Sequence, residues 1–187
     1  MRIISGKLKG KSISFIKSSI TRPLKDSVRE NIFNILTHSN LFKVNINKSC
    51  ILDLYSGIGS FGLECISRGA AKVIFVEKDK IAINTLRKNL LNLSIQNKAS
   101  IYEEDIKKFL DNINDEKFEI FFLDPPFKDI DYQNYLRTIS KKKIFKKNHI
   151  VIIHREKKLS ENLDKFLNLI LVKEYGRSKI TFGKFLL

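Results

Sequence analysis

Between about Ser49 and His154, short apolar runs alternate with segments of helical period, and this alternation constrains the fold more than any other feature of the chain. Runs of this length, apolar on both faces, suit strands buried in a parallel sheet, and the segments between them supply the crossover helices. The expected strands are Cys50 to Leu54, Lys72 to Val76, Ala99 to Tyr102, Glu119 to Leu123 and Ile150 to His154. Helices are expected over Ser60 to Arg68, Lys80 to Leu93, Ile106 to Ile113 and about Tyr132 to Ile139. In the second of these, Ile81, Ile83, Leu86, Leu90 and Leu93 fall near one face, opposite the charges. Asn168 to Tyr175 and Lys179 to Leu187, separated by Gly176, Arg177 and Ser178, read as a closing antiparallel hairpin. The fold class is therefore α/β, a doubly wound, mostly parallel sheet of seven strands.

The first 48 residues stand apart from this pattern. Met1 to Phe15 is basic with repeated glycines, and Asp26 to Thr37 reads as a helix whose apolar face holds Val28, Ile32, Phe33 and Leu36. A chain of 187 residues suits one domain, here a basic extension over 1–48 followed by a core over 49–187. Met1 to Gly10 never enters an apolar stretch of signal-peptide length, and no later run approaches a bilayer span, so a cytoplasmic location is expected. Cys50 and Cys65 show neither a CxxC pair nor a metal-like spacing with His38, His149 or His154, so reduced, buried thiols and no metal are expected.

Asp53-Leu54-Tyr55-Ser56-Gly57-Ile58-Gly59-Ser60-Phe61-Gly62 follows the first strand and opens a helix, which places a GxGxxG pattern in a ligand-binding context. Glycines there let backbone approach a ligand, and the helix N-terminus offers unpaired N–H groups. Glu77, at the end of the second strand and followed by Lys78, can accept from both hydroxyls of a ribose, so a nucleoside-containing cofactor is implied. Asp53 distinguishes the cofactors. A carboxylate at this turn repels a pyrophosphate but suits the ammonium and sulfonium of S-adenosylmethionine. A glycine turn needed only for helix packing leaves both acids unexplained. Asp105 could accept from the adenine amino group with Ile106 against the ring, or could simply cap a helix.

Asp124-Pro125-Pro126-Phe127 follows the fourth strand at its carboxyl end, where open α/β sheets place their sites. An aromatic amine is a poor nucleophile because its lone pair is delocalised into the ring. The Asp124 carboxylate and the Pro125 carbonyl could accept the amino protons and aim the lone pair at a methyl group, while Pro126 stiffens the turn and Phe127 stacks on the base. A paired base hides its amino group, so the substrate must be unpaired or flipped out. A strand merely ended by prolines explains Pro125 and Pro126 but neither flanking residue.

Lysine and arginine total 35 against 20 acids, a net charge of +15, which points to a polyanionic partner. AT-rich codons would also enrich lysine, but do not explain why acids are so outnumbered.

At this point the chain resembles the bacterial 16S rRNA guanine-N2 methyltransferases that modify the small ribosomal subunit, within the Rossmann-like class I methyltransferases. The resemblance is carried by Met1-Arg2-Ile3-Ile4-Ser5-Gly6-Lys7, Gly10-Lys11, Thr21-Arg22-Pro23, Asp26, Val28-Arg29-Glu30 and Phe33-Asn34. It continues through Asp53 to Gly57, Gly59, Gly62-Leu63-Glu64, Ser67 to Ala71, Val76-Glu77 and Asp124 to Phe127. The chain departs from the family pattern at Leu24, Lys25, Ser27 and Ile58. The resemblance implies that Asp53, Gly57 and Glu77 contact S-adenosylmethionine, and Ser56, Gly59, Lys78, Asp105 and Ile106 are expected beside it. It further implies that Asp124 to Phe127 hold guanine, and that the basic opening segment, with Arg2, Lys7, Arg22 and Arg29, faces rRNA. A monomer is the default expectation. The main rivals are an adenine-N6 methyltransferase acting on DNA or RNA and an RNA-binding assembly factor without catalysis. Weaker ones are a protein-glutamine methyltransferase, which usually has Asn in place of Asp124, and a NAD-dependent oxidoreductase, which Asp53 disfavours.

Overall fold

A computed structural model describes residues 1–16, 24–159 and 161–186. After α1 (Asp26–His38), strands and helices alternate: β1 (Cys50–Leu54), α2 (Ser60–Ser67), β2 (Lys72–Glu77), α3 (Lys80–Asn92), β3 (Ala99–Glu103), α4 (Ile106–Asn112), β4 (Phe118–Leu123), α5 (Tyr132–Lys142) and β5 (Phe145–Glu156). The hairpin of β6 (Leu167–Tyr175) and β7 (Ser178–Phe185) ends the chain. The sheet order is β3-β2-β1-β4-β5-β7-β6, with the first five strands parallel and β7 antiparallel to both its neighbours.

Strand residues alternate between two cores, as the pleat requires. Ile51, Ile120, Phe122, Ile150 and Ile152 pack with α1, α2 and α3 on one face. Leu52, Leu54, Phe121, Leu123, Val151 and Ile153 pack with α4 and α5 on the other. Phe61 of α2 stacks on Phe122 at 4.1 Å and lies 5.1 Å from Phe33 of α1, tying both helices to the middle of the sheet.

The strand and helix assignments from the sequence agree with this architecture, with two differences. The side chain of Asp79 accepts from Ala82 N–H and caps α3, which sets the helix phase so that Ala82, Ile83, Leu86, Asn89 and Leu90 face inward. Ile81 is 65% exposed, because two positions along a helix turn about 200° and Ile81 and Ile83 cannot share a face. β5 also begins five residues earlier than expected. Lys146, Lys147 and Asn148 are exposed there and break the apolar run, and the β4–β5 register shifts between Phe118 and Ile120.

The N-terminal segment folds back on itself through an Arg2–Ser12 bridge and lies along α2. Glu64, fully buried, accepts from Ile4 N–H (2.8 Å), Ser5 N–H (2.9 Å) and Arg68 Nε (2.8 Å). Ser67 accepts from Lys7 and Leu8 N–H, and Asn89 accepts from Ser14 N–H. Arg29, also fully buried, donates from Nη2 to Arg2 O at 2.6 Å and to Asp26 Oδ1 at 2.9 Å. Among the described residues no helix is long and apolar enough to cross a membrane.

Glu64→Ala strands the Ile4 and Ser5 amides and the Arg68 guanidinium. It should cost about 2–4 kcal/mol in urea unfolding and expose the N-terminal segment to proteolysis. Unchanged stability would show that the segment is held by its apolar contacts alone.

Candidate active site

The carboxyl ends of β1, β2, β4 and β5 open onto a cleft of about 450 Å³. Pairing of β1 with β4, Leu54 opposite Leu123, brings the glycine loop and the Asp124 loop side by side. Tyr55 of the first loop donates from its hydroxyl to Asp129 Oδ2 of the second at 2.8 Å.

Of the residues expected at the cofactor, Ser56, Gly57, Glu77, Lys78, Asp105 and Ile106 line the cleft. Gly57 has φ +54 and open space where a Cβ would stand, so its backbone faces the cleft bare. Glu77 Oε2 accepts from Gly57 N–H at 2.8 Å, and Oε1 accepts from Lys78 and Asp79 N–H, which fixes the carboxylate and still leaves lone-pair capacity. Asp105 does both things expected of it. Its Oδ1 accepts from Lys107 N–H and caps α4, while the residue lines the cleft. Ser56 Oγ is buried with no hydrogen-bond partner among the described residues, the kind of group a ligand atom satisfies.

Asp53 and Gly59 are placed elsewhere. A Cβ on Gly59 would meet Leu86 Cδ1 at 2.4 Å, so this glycine serves helix packing. Asp53 lies beneath the loop, 1% exposed, with Oδ2 accepting from Gly62 N–H at 3.1 Å and Oδ1 unpartnered. Burial pushes its carboxyl well above the usual carboxylate range, the Gly62 N–H opposes the shift, and Asp124 and Glu77 add to it. Glu77 and Asp124 thus line a cleft with the buried Asp53 carboxyl beneath it, inside a protein of net charge +15, an arrangement that favours a cationic ligand.

Asp124, Pro125, Pro126 and Phe127 all line the same cleft, with Phe127 43% exposed at its mouth. Their loop is held by a residue that carried no signal in the sequence, Arg155, 2% exposed. Its Nη1 donates to Pro125 O (3.2 Å) and Pro126 O (2.8 Å), its Nη2 to Phe127 O and Asp129 O (3.0 Å each), and its Nε to Glu161 Oε1 (2.8 Å). All five guanidinium protons are used, and the guanidinium carbon Cζ lies 4.7 Å from the Tyr132 ring centroid. The Pro125 carbonyl, expected to receive a substrate proton, already accepts from Arg155.

His154 was likewise unexpected at the site. Its Nδ1 lies 2.8 Å from Asp124 Oδ1 and its Nε2 lies 2.9 Å from Ser178 Oγ. The strand register contains the clue: Leu123 pairs with Ile153, so the next residues, Asp124 and His154, fall side by side.

The basic residues expected at the nucleic acid do not gather at the cleft. Arg29 is buried and its Nη2 binds the Arg2 carbonyl, so it does not face a partner, which corrects the RNA-facing expectation. Arg2 and Lys7 are exposed, but the turn bearing Lys7 docks on Ser67 at the far end of α2, about 12 Å along the helix from the glycine loop. Arg22 lies outside the described residues. Lys25 and Arg177 line the cleft instead.

A family model described as conserved hypothetical protein 95 matches residues 1–184. The chain belongs to this family. Ribosomal RNA small subunit methyltransferase D of Buchnera aphidicola subsp. Baizongia pistaciae is 34% identical over 186 residues, covering 100% of this chain and 91% of that protein. The protein of the same name from Haemophilus influenzae is 33% identical over 159 residues, covering 84% of this chain and 79% of its own length. A solved structure of a candidate methylase from Haemophilus influenzae matches with TM-score 0.77 at 28% identity, covering 100% of this chain and 98% of that one. The architecture of this family member is the Rossmann-like class I methyltransferase fold with a terminal antiparallel hairpin.

Two outcomes follow from this geometry. Ionising Asp53 opposes folding, because its folded carboxyl holds the proton more tightly than the unfolded chain does. That stability is complete below about pH 4 and is lost as pH rises through the elevated folded value. Asp53→Asn suffers no such loss, so its urea midpoint should exceed that of the parent by more at pH 8 than at pH 5; a gap that widens toward acid would contradict this. Arg155→Met leaves four carbonyls and Glu161 without their donor and should lower stability by about 3–5 kcal/mol in the same assay. A loss below about 1 kcal/mol would mean that the loop is held by other contacts.

Proposed function

We propose that this chain transfers the methyl group of S-adenosylmethionine to the exocyclic N2 amino group of a guanine in 16S rRNA of the small ribosomal subunit, with the base flipped into the cleft between Asp124 and Phe127. The observation that carries the reading is the convergence of Asp124 and the exposed Phe127 ring with the Gly57–Glu77–Asp105 wall in one cleft. Kinship over 84–100% of this chain to proteins named for small-subunit rRNA methylation supplies the substrate class.

The residues fit the cofactor. Glu77 would take the ribose hydroxyls, Asp105 and Ile106 the adenine, and the glycine loop with Ser56 the amino-acid portion, and a cation there would favour the ionised form of the buried Asp53. When bound, S-adenosylmethionine supplies an electrophilic methyl carbon on a sulfonium.

Phe127 stacks on the flipped base, and the carboxylate of Asp124 accepts from its amino group, drawing the nitrogen lone pair out of conjugation. The attacking nitrogen would form its bond to the methyl carbon as that carbon's bond to sulfur breaks with its pair left on sulfur, and the surplus amino proton would leave to Asp124. Arg155 keeps the loop from yielding, which matters because misplacement by 1 Å can cost 10²-fold in rate. The net charge of +15 draws the polyanion in, and Lys25 and Arg177 at the cleft place cations where its phosphates arrive.

The test is transfer of labelled methyl to small ribosomal subunits lacking the modification, with naked rRNA and DNA alongside, followed by nucleoside analysis. N2-methylguanosine is expected; N6-methyladenine would establish the adenine reading, and absence of label despite cofactor binding would overturn methylation of these substrates. Asp124→Ala should abolish transfer with the cofactor Kd within about twofold of the parent. Glu77→Ala should raise that Kd by about 10-fold or more, the loss of a hydrogen-bonding charge; an unchanged Kd would remove Glu77 from the cofactor site.

A further inference from the structure

We infer that His154 is the positioning residue for Asp124: it binds one carboxylate oxygen so that the other faces the target amine, and Ser178 on the hairpin fixes its tautomer. This rests on the methyl-transfer reading above.

The chemistry of the three groups determines the arrangement. An ionised carboxylate only accepts, so the 2.8 Å contact between His154 Nδ1 and Asp124 Oδ1 requires the proton on Nδ1. In the neutral ring Nε2 then accepts, and Ser178 Oγ at 2.9 Å is its donor. His154 and Asp124 are 8% and about a quarter exposed, so this contact is largely shielded while the carboxylate still reaches the cleft. Among the described residues Asp124 Oδ1 has His154 as its hydrogen-bond partner, and no donor falls on Oδ2. Oδ2 is therefore the free acceptor for the base.

The backbone sets up this contact. Asp124 and His154 directly follow Leu123 and Ile153, the last pair of the parallel β4–β5 register, and Ser178 lies two residues from Ile180, the antiparallel partner of His154. Phe127 meets the His154 ring edge-on, with centroids 6.5 Å apart, so the same imidazole contacts both the acceptor and the stacking residue. Without it, the Asp124 side chain can rotate either oxygen, or neither, toward the amine.

The test pairs kinetics with spectroscopy on the full chain. His154→Leu should lower kcat about 10- to 100-fold, the range for losing a group that orients a reactive ligand, with KM for RNA and cofactor Kd within about twofold. His154→Asn keeps a donor near the Nδ1 position and should recover most of that loss. In ¹⁵N spectra, His154 should show a protonated Nδ1 and a bare Nε2, as should His149, whose Nδ1 faces the Lys146 carbonyl and whose Nε2 accepts from Phe185 N–H. Ser178→Ala should release the His154 tautomer and leave that of His149 unchanged. Parental kcat in His154→Leu, equal losses in the Leu and Asn variants, or an Nε2–H tautomer in the parent would each overturn the assignment. If the parent methylates no RNA, the function falls, and the tautomer measurement alone decides the His154 contact.

Discussion

The parallel pairing of β1 with β4 is the constraint on which the rest depends. Strand order reverses there, with β2 and β3 on one side and β5 and the hairpin on the other, so the loops leaving β1 and β4 diverge over a shared gap. With Leu54 opposite Leu123, the strands end level. Neighbouring strands lie about 4.8 Å apart, which makes the glycine loop and the Asp124 loop two walls of one cleft. A shift of one residue would turn Asp124 to the opposite face, away from His154 and toward the α4–α5 core.

The charge distribution divides the work by distance. The excess of cations acts over the range of a Debye length, about 8 Å or more, and favours polyanions of any sequence. Inside the cleft the sign is reversed, with Glu77, Asp105 and Asp124 contributed by the ends of three different strands or loops and Asp53 buried beneath them. Asp53 sits where water cannot screen it, and its elevated carboxyl records the cost of holding that charge without a cation above it. A sulfonium or ammonium at that place lowers the cost, and a pyrophosphate raises it. Binding and charge state of this floor are thus coupled.

What could be read in the sequence was whatever has a local cause. Apolar runs reported the strands, the glycine spacing reported the loop, and Asp124 to Phe127 formed a contiguous motif, so Ser56, Gly57, Glu77, Asp105 and the Asp124 loop emerge in one cleft. Contacts decided by register or by distant packing left no such trace. Arg29 looks like any helical arginine until the Arg2 carbonyl, 27 positions away, closes over it. Gly59 and Gly57 occupy one motif, yet Leu86 crowds the first and nothing crowds the second. His154 enters the sequence only as the end of a strand and as a histidine without metal-like spacing, and Arg155 not at all, because their partners lie across the sheet and in a loop about 30 residues away.

His154 and Arg155 also show how one strand end can control a loop from both sides. Consecutive residues of β5 point to opposite faces, so one strand delivers an imidazole to the Asp124 carboxylate and a guanidinium to the carbonyls beneath it. A lysine at 155 would present a point charge with three donors and could not hold four carbonyls and a carboxylate at once. The buried arginine of α1 makes a useful contrast. Arg29 has Nε and Nη1 unpartnered among the described residues, and burial lowers its pKa, whereas Arg155 has every donor engaged. A buried cation with all donors filled fixes its surroundings rigidly, since moving the loop in any direction breaks a charge-assisted bond. That rigidity has a chemical use where an acceptor must meet one amine at one height above a stacking ring, and the extension anchored by Arg29 places no such demand on its anchor.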